Sequence, residues 1–259
     1  MCKSLRMVAS SSFLLLFLGA PAVAITFGVP DGNGHPNVGA LVAELDGEKV
    51  AVCSGTLISP TVFLTAGHCA AFLESEGITQ VWVSFDPVFD SASSTLTPGT
   101  MVLNPGFNQG RPDTGDMAVI LFASPLGITP ADLPTAGLLN ELAAKNGLRE
   151  QLFTAVGYGA QEASFGGGPP VFGPGGTRMV STSSFDALNK AWLRLSQNPA
   201  TGDGGTCFGD SGGPNFLGTS NIVAALTVTG DAICRATNVV YRLDTPTARA
   251  FLGNYVTLP

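Results

Sequence analysis

Gly209-Asp210-Ser211-Gly212-Gly213-Pro214 places one serine among three glycines. Glycine has no Cβ and reaches backbone angles closed to other residues. Such a string leaves the Ser211 hydroxyl unobstructed and lets neighbouring N–H groups point into one space. A hairpin turn does not need six residues in this order. Ser211 is therefore read as a nucleophile, with the N–H groups of Gly209 and Ser211 as donors to an oxyanion. A serine that opens an amide also needs a base to take its proton and a third group to hold that base in the right tautomer.

The chain restricts the base to two histidines. His35 lies in Asp31-Gly32-Asn33-Gly34-His35-Pro36, a turn-rich segment, and reads as a surface loop residue. His68 lies in Leu64-Thr65-Ala66-Gly67-His68-Cys69, directly after an apolar strand, beside a cysteine that can fix the loop covalently. His68 is the expected base. The orienting carboxylate should sit buried at a strand end. Asp116 precedes the apolar run Met117–Phe122 and fits; its rival Asp113, in Pro112-Asp113-Thr114-Gly115, reads better as a turn former.

Chain order then separates the serine-hydrolase families. Gly209-x-Ser211-x-Gly213 also fits the nucleophile elbow of α/β-hydrolases, but that fold needs a histidine after the serine, and none follows His68. A subtilisin-like order would need an aspartate before His68; Asp31 and Asp46 stand in turn-like contexts. The order His68, Asp116, Ser211 remains. With Thr65-Ala66-Gly67-His68-Cys69, the Asp116 strand and the Gly209–Pro214 string, separated by 48 and then 95 residues, the chain resembles the trypsin/chymotrypsin family of serine proteases. The resemblance implies an all-β fold of two packed six-stranded antiparallel barrels with the active site between them. The first barrel, about residues 25–130, would carry His68 and Asp116; the second, about 148–259, would carry Ser211.

The apolar pattern agrees with an all-β chain. Gly (33) and Pro (18) punctuate short apolar runs at 38–45, 50–58, 62–66, 81–85, 117–122, 152–156, 192–195, 222–228 and 239–243, each of strand length. Helical periodicity is confined to 138–145 and to the C-terminus, where Asp244 or Thr245 can cap, Pro246 suits the first turn, and Ala248, Phe251, Leu252 and Tyr255 share a face. Residues 161–176 form a Gly/Pro-rich stretch without periodicity, expected as a mobile exposed loop, and 124–147 reads as the linker between halves.

The first 24 residues read as an export signal: Lys3 and Arg6, an apolar core at 13–18, and Ala22-Val23-Ala24 as a small-x-small cleavage site. The core is too short to span a membrane, which takes about 20 apolar residues. Removing two basic residues takes the 12 to 10 against 19 acidic ones, and the net charge from −7 to −9. That balance argues against nucleic acid or an anionic membrane as partner; polypeptides are the expected substrates. The expected location is outside the cytoplasm, extracellular or periplasmic.

Cys2 leaves with the signal, and the even set Cys53, Cys69, Cys207 and Cys234 reads as two disulfides in an exported chain. Spacing leaves three pairings open; the resemblance implies Cys53–Cys69 and Cys207–Cys234. It also implies that a free Ile25, exposed by signal cleavage, pairs with Asp210 to shape the oxyanion site. By the same resemblance Gly205 lies at the base of the substrate pocket, with Thr229 and Val239 narrowing its walls. An uncharged base disfavours Lys or Arg before the scissile bond and favours small or medium apolar residues. No cofactor or metal is needed by this chemistry. The competing readings are an inactive family member serving as a binding module, and an esterase on the same fold.

Overall fold

A computed structural model describes residues 25–259; the expected signal segment lies outside them. In chain order its elements are β1 (Val29–Pro30), β2 (Val38–Leu45), β3 (Glu48–Ser59), β4 (Val62–Thr65), α1 (Gly67–Ser75), β5 (Val81–Ser84), β6 (Thr97–Leu103) and β7 (Ala118–Leu121), then α2 (Leu138–Ala144). The second half holds β8 (Leu152–Gly157), β9 (Ala163–Ser164), β10 (Val171–Phe172), β11 (Met179–Leu188), β12 (Trp192–Ser196), β13 (Pro214–Leu217), β14 (Val223–Gly230), β15 (Thr237–Arg242) and α3 (Pro246–Leu252).

Two six-stranded antiparallel barrels result. The first closes in the order β2-β3-β4-β7-β6-β5, with β5 returning to β2. The second runs β11-β12-β15-β14-β13-β8 and closes through β8 on β11, with β1 added outside on β11. Closure leaves few free edges, which is how short, Gly-punctuated strands make a stable sheet.

The strands expected from apolar runs are present. Three others carry little apolar signal. β6 contains Pro98 and Gly99, and Gly99 is required because a Cβ there would lie 2.3 Å from Cγ2 of Ile120. β11 is rich in Ser and Thr; Ser183 is fully buried and its hydroxyl donates to the Gly204 carbonyl. β13 begins at Pro214, the last residue of the Gly209–Pro214 string, and buries Asn215, whose amide donates to Thr227 Oγ1.

The two expected helices form, and α1 adds an unexpected one that begins at the His68 motif. Its Cys69, Ala70 and Leu73 are buried, so it lies as a short cover on the first barrel. In α3 the Thr245 hydroxyl accepts the Ala248 N–H, and Ala248, Phe251 and Leu252 join the same core cluster as Leu57 and Leu64 of the first barrel. The C-terminal helix thus joins a core cluster that holds residues of both halves. Within the stretch expected as loop, β9 and β10 pair as a small hairpin.

Candidate active site

Asp116 is 2 % exposed and sits just before β7. Its Oδ1 accepts the main-chain N–H of His68 (2.8 Å), and its Oδ2 lies 3.0 Å from His68 Nδ1. A carboxylate facing Nδ1 holds the proton there and leaves Nε2 as the free acceptor. Gly67 makes this approach possible: a Cβ there would lie 2.8 Å from the Met117 nitrogen. Asn104 steadies the other side of the loop. Its Nδ2 donates to the Gly115 carbonyl and its N–H to the Met117 carbonyl. Asp113, the rival, accepts from the Tyr241 hydroxyl (2.5 Å) and the Thr247 hydroxyl (2.7 Å), and so ties this loop to the second half. Burial first, and then the Asp113 carboxylate, pushes the Tyr241 phenol up, so it stays a donor.

Ser211 is drawn to the same place by its backbone. The Ser54 N–H donates to the Ser211 carbonyl (2.8 Å), and Ser54 adjoins Cys53, which is bonded to Cys69 beside His68. Gly212, at φ 83°, presses against the end of β4; a Cβ there would stand 2.3 Å from Thr65 Oγ1 and 2.7 Å from the Ala66 nitrogen. The serine therefore sits across the two-residue step that leads from β4 into His68. Cys53, His68 and Cys69 cluster at the spacing of metal ligands, but the disulfide leaves neither cysteine a thiolate to offer.

The N–H groups of Gly209 and Ser211 have no protein partner among the described residues. Gly209 has φ 93°, and its carbonyl is turned away to accept the Ser54 hydroxyl (2.9 Å). Two unpaired N–H groups flanking one aspartate, next to a serine, can receive a developing oxyanion.

Asp210 between them is fully buried. It accepts N–H groups from Gly159 and Cys207, each at 2.8 Å, and among the described residues no side-chain cation pairs with it. Burial pushes its carboxyl up to about 7 against the pull of those two donors. Ile25 is also fully buried, in a cluster with Ala155 and Met179. Ala155 and Gly157 share a face of β8, and Gly157 lies directly against Asp210. Ile25 and Asp210 therefore occupy neighbouring positions along one strand face.

A cavity of about 120 Å³ opens beside Ser211. Thr229 lines it, together with Thr206, Phe208 and both cysteines of the Cys207–Cys234 bridge. Gly205 and Val239, the other two expected pocket residues, are not among its lining residues. Gly205 is instead bonded to the N-terminal segment through Thr26, and the buried Gln197 side chain fills the space a Cβ would take. Val239 pairs with Thr229 across a β-bulge. Asp231, the one charged residue of the lining, spends its carboxylate on the N–H groups of Arg235, Ala236 and Thr237 and on Gln197.

The family model described as Trypsin matches residues 32–250. The chain belongs to the trypsin family. Its chemistry is that of a serine endopeptidase, a hydrolase. Among solved structures, HL collagenase is similar to this trypsin-family chain with a TM-score of 0.66 and 19 % identity, over 89 % of this chain and 98 % of that one, a likeness in fold. No curated protein matches the sequence. Among the described residues no helix is long and apolar enough to cross a membrane.

Residues that support the site without sequence motifs of their own are Ser54, Asn104 and Gln197. Only Ser54 had a signal in reach, as the neighbour of a cysteine.

Proposed function

We propose that residues 1–24 direct export and that the remaining chain hydrolyses peptide bonds through an acyl-enzyme on Ser211. The observation that carries the reading is the Asp116 carboxylate spanning both the N–H and Nδ1 of His68. His68 Nε2 takes the Ser211 proton as Oγ bonds to the substrate carbonyl carbon. The carbonyl oxygen becomes an oxyanion held by the Gly209 and Ser211 N–H groups. The C–N bond then breaks, and His68 returns the proton to the departing amine. Water repeats the sequence on the ester: it loses a proton to His68, and Ser211 leaves with that proton.

Activation follows from the buried Asp210. A carboxylate with two N–H donors and no cation is costly in an apolar setting. A free Ile25 ammonium, created by cleavage after Ala24, supplies the missing charge and holds the loop that carries the oxyanion donors.

Cavity size supports a small or medium uncharged side chain before the scissile bond. Asp231 does not favour Lys or Arg, because its charge is already shared among backbone donors. Thr229 narrows the space; the roles expected of Gly205 and Val239 are one step removed, as supports for Gln197 and Thr229.

The test pairs the secreted protein with Ser211→Ala. The parent should label with a serine-directed fluorophosphonate and cleave an unbiased peptide library after small apolar residues; Ser211→Ala should do neither. Folded parent protein that takes no label would leave the binding-module reading. Labelling with ester turnover but no peptide cleavage would leave the esterase.

A further inference from the structure

Arg178 is the largest fully buried side chain among the described residues, and it belongs to no part of the site described above. A buried guanidinium persists only where its donors are met. Here Nε donates to Asp31 Oδ2 (3.0 Å) and Nη2 to the Gly32 carbonyl (2.6 Å). Nη1 faces the carbonyls of Val38 (3.0 Å) and Phe85 (2.9 Å) and the Tyr158 hydroxyl (3.2 Å). One side chain thus reaches the N-terminal segment, the first barrel and the second. Asp31 has a side chain 1 % exposed and is held from its far side by His35, whose Nδ1 lies 2.5 Å from Oδ1. His35 is accordingly no free loop residue; its ring stacks on Phe216 at 5.2 Å.

The contact with Tyr158 leads to the nucleophile loop. The Tyr158 hydroxyl accepts from Arg178 and donates to the Asp86 carbonyl (2.8 Å), which fixes the ring at its outer end. At the inner end, the Tyr158 N–H donates to Ser54 Oγ, which donates to the Gly209 carbonyl. The next N–H, of Gly159, donates to Asp210 Oδ1. Two groups of the loop that carries Ser211 are therefore set by where Tyr158 stands. Asp31, six residues after Ile25, is set by the same guanidinium.

We propose that Arg178 is a positioning residue for peptide hydrolysis, acting through Tyr158 on Gly209 and Asp210. The inference rests on the hydrolytic reading of Ser211. Lysine at 178 can still neutralise Asp31 but lacks the planar fork that reaches the other partners. Phenylalanine at 158 keeps the ring and loses only the outer anchor.

The experiment compares the parent with Arg178→Lys, Tyr158→Phe and the double variant, by thermal unfolding, fluorophosphonate titration, and kcat and KM on a chromogenic peptide amide. Misplaced donors act on the transition state, so kcat should fall roughly tenfold in Arg178→Lys and severalfold in Tyr158→Phe, with KM within about twofold. Residues acting along one path are not additive, so the double variant should be no slower than Arg178→Lys. A kcat within twofold of the parent in both single variants, losses confined to KM, or losses that multiply would overturn the proposal. If Arg178→Lys does not fold, Tyr158→Phe, which leaves no charge unpaired, decides alone. A parent that neither labels nor hydrolyses sinks the hydrolytic reading and this one with it; a labelling parent with unaffected variants sinks this one only.

Discussion

One carboxylate of Asp116 grips His68 twice, by its main-chain N–H at 2.8 Å and by its Nδ1 at 3.0 Å, so the ring and the start of α1 are placed by the same group. An amide in its place can still accept the main-chain bond but can also donate toward Nδ1, which moves the imidazole proton to Nε2. Asp116→Asn should therefore fold with nearly unchanged stability and lose roughly 10⁴-fold in kcat. Steady-state kinetics beside a thermal melt checks this. A loss of only a few fold would mean that Asp116 does not set the tautomer.

Asp210 predicts a pH dependence that changes on cleavage. Its carboxyl is raised from 3.8 to about 7 by burial, so the folded chain binds that proton more tightly than the unfolded one. The resulting stabilisation is complete below the ordinary carboxylate range and is lost as pH rises toward about 7. With residues still attached before Ile25, urea midpoints should fall across that window. With a free Ile25 terminus the ammonium pairs with the carboxylate, and the fall should largely disappear. Superimposable pH profiles for the two forms would exclude the pairing.

The bridges should separate stability from binding. Cys53–Cys69 spans 16 residues and Cys207–Cys234 spans 27, so removing either should cost about 3–4 kcal/mol on the loop-entropy view. The first braces His68, and its loss should lower kcat well below the melting temperature. The second lines the cavity, and its loss should raise KM instead. Urea denaturation and kinetics on paired Cys→Ala variants give both numbers. Equal effects of the two on kcat would contradict the division.

Thr229→Gly tests the cavity. Removing a β-branched side chain from a lining of this size should admit larger residues and raise kcat/KM for aromatic relative to small side chains by roughly tenfold or more. Peptide-library profiles of the two proteins measure it. An unchanged profile would move the specificity determinant elsewhere.

Some features are legible in residues alone because their causes are local. The Gly209–Pro214 string, the His68 motif and the order of the three site residues each stand in a few adjacent positions. The apolar runs that became β2, β7 and β8 are buried nearly throughout. The caps of α3 lie next to the helix they start.

Other features depend on partners far along the chain. β6 and β11 are strands because neighbours pair with them, despite Pro98, Gly99 and a run of Ser and Thr. Gly205 and Val239 do not line the cavity that Thr206 and Thr229 do; side chains alternate faces along extended chain, so one position of offset turns a side chain to the other face. The residues by themselves pointed to an all-β chain with His68, Asp116 and Ser211, in that order, as the expected site; the two barrels came from the family resemblance those motifs carry. Only the tertiary structure decided that Arg178 meets Asp31 and Tyr158, and that buried Asp210 is met by the Gly159 N–H, because a hydrogen bond across 147 or 51 residues leaves no mark in the local sequence.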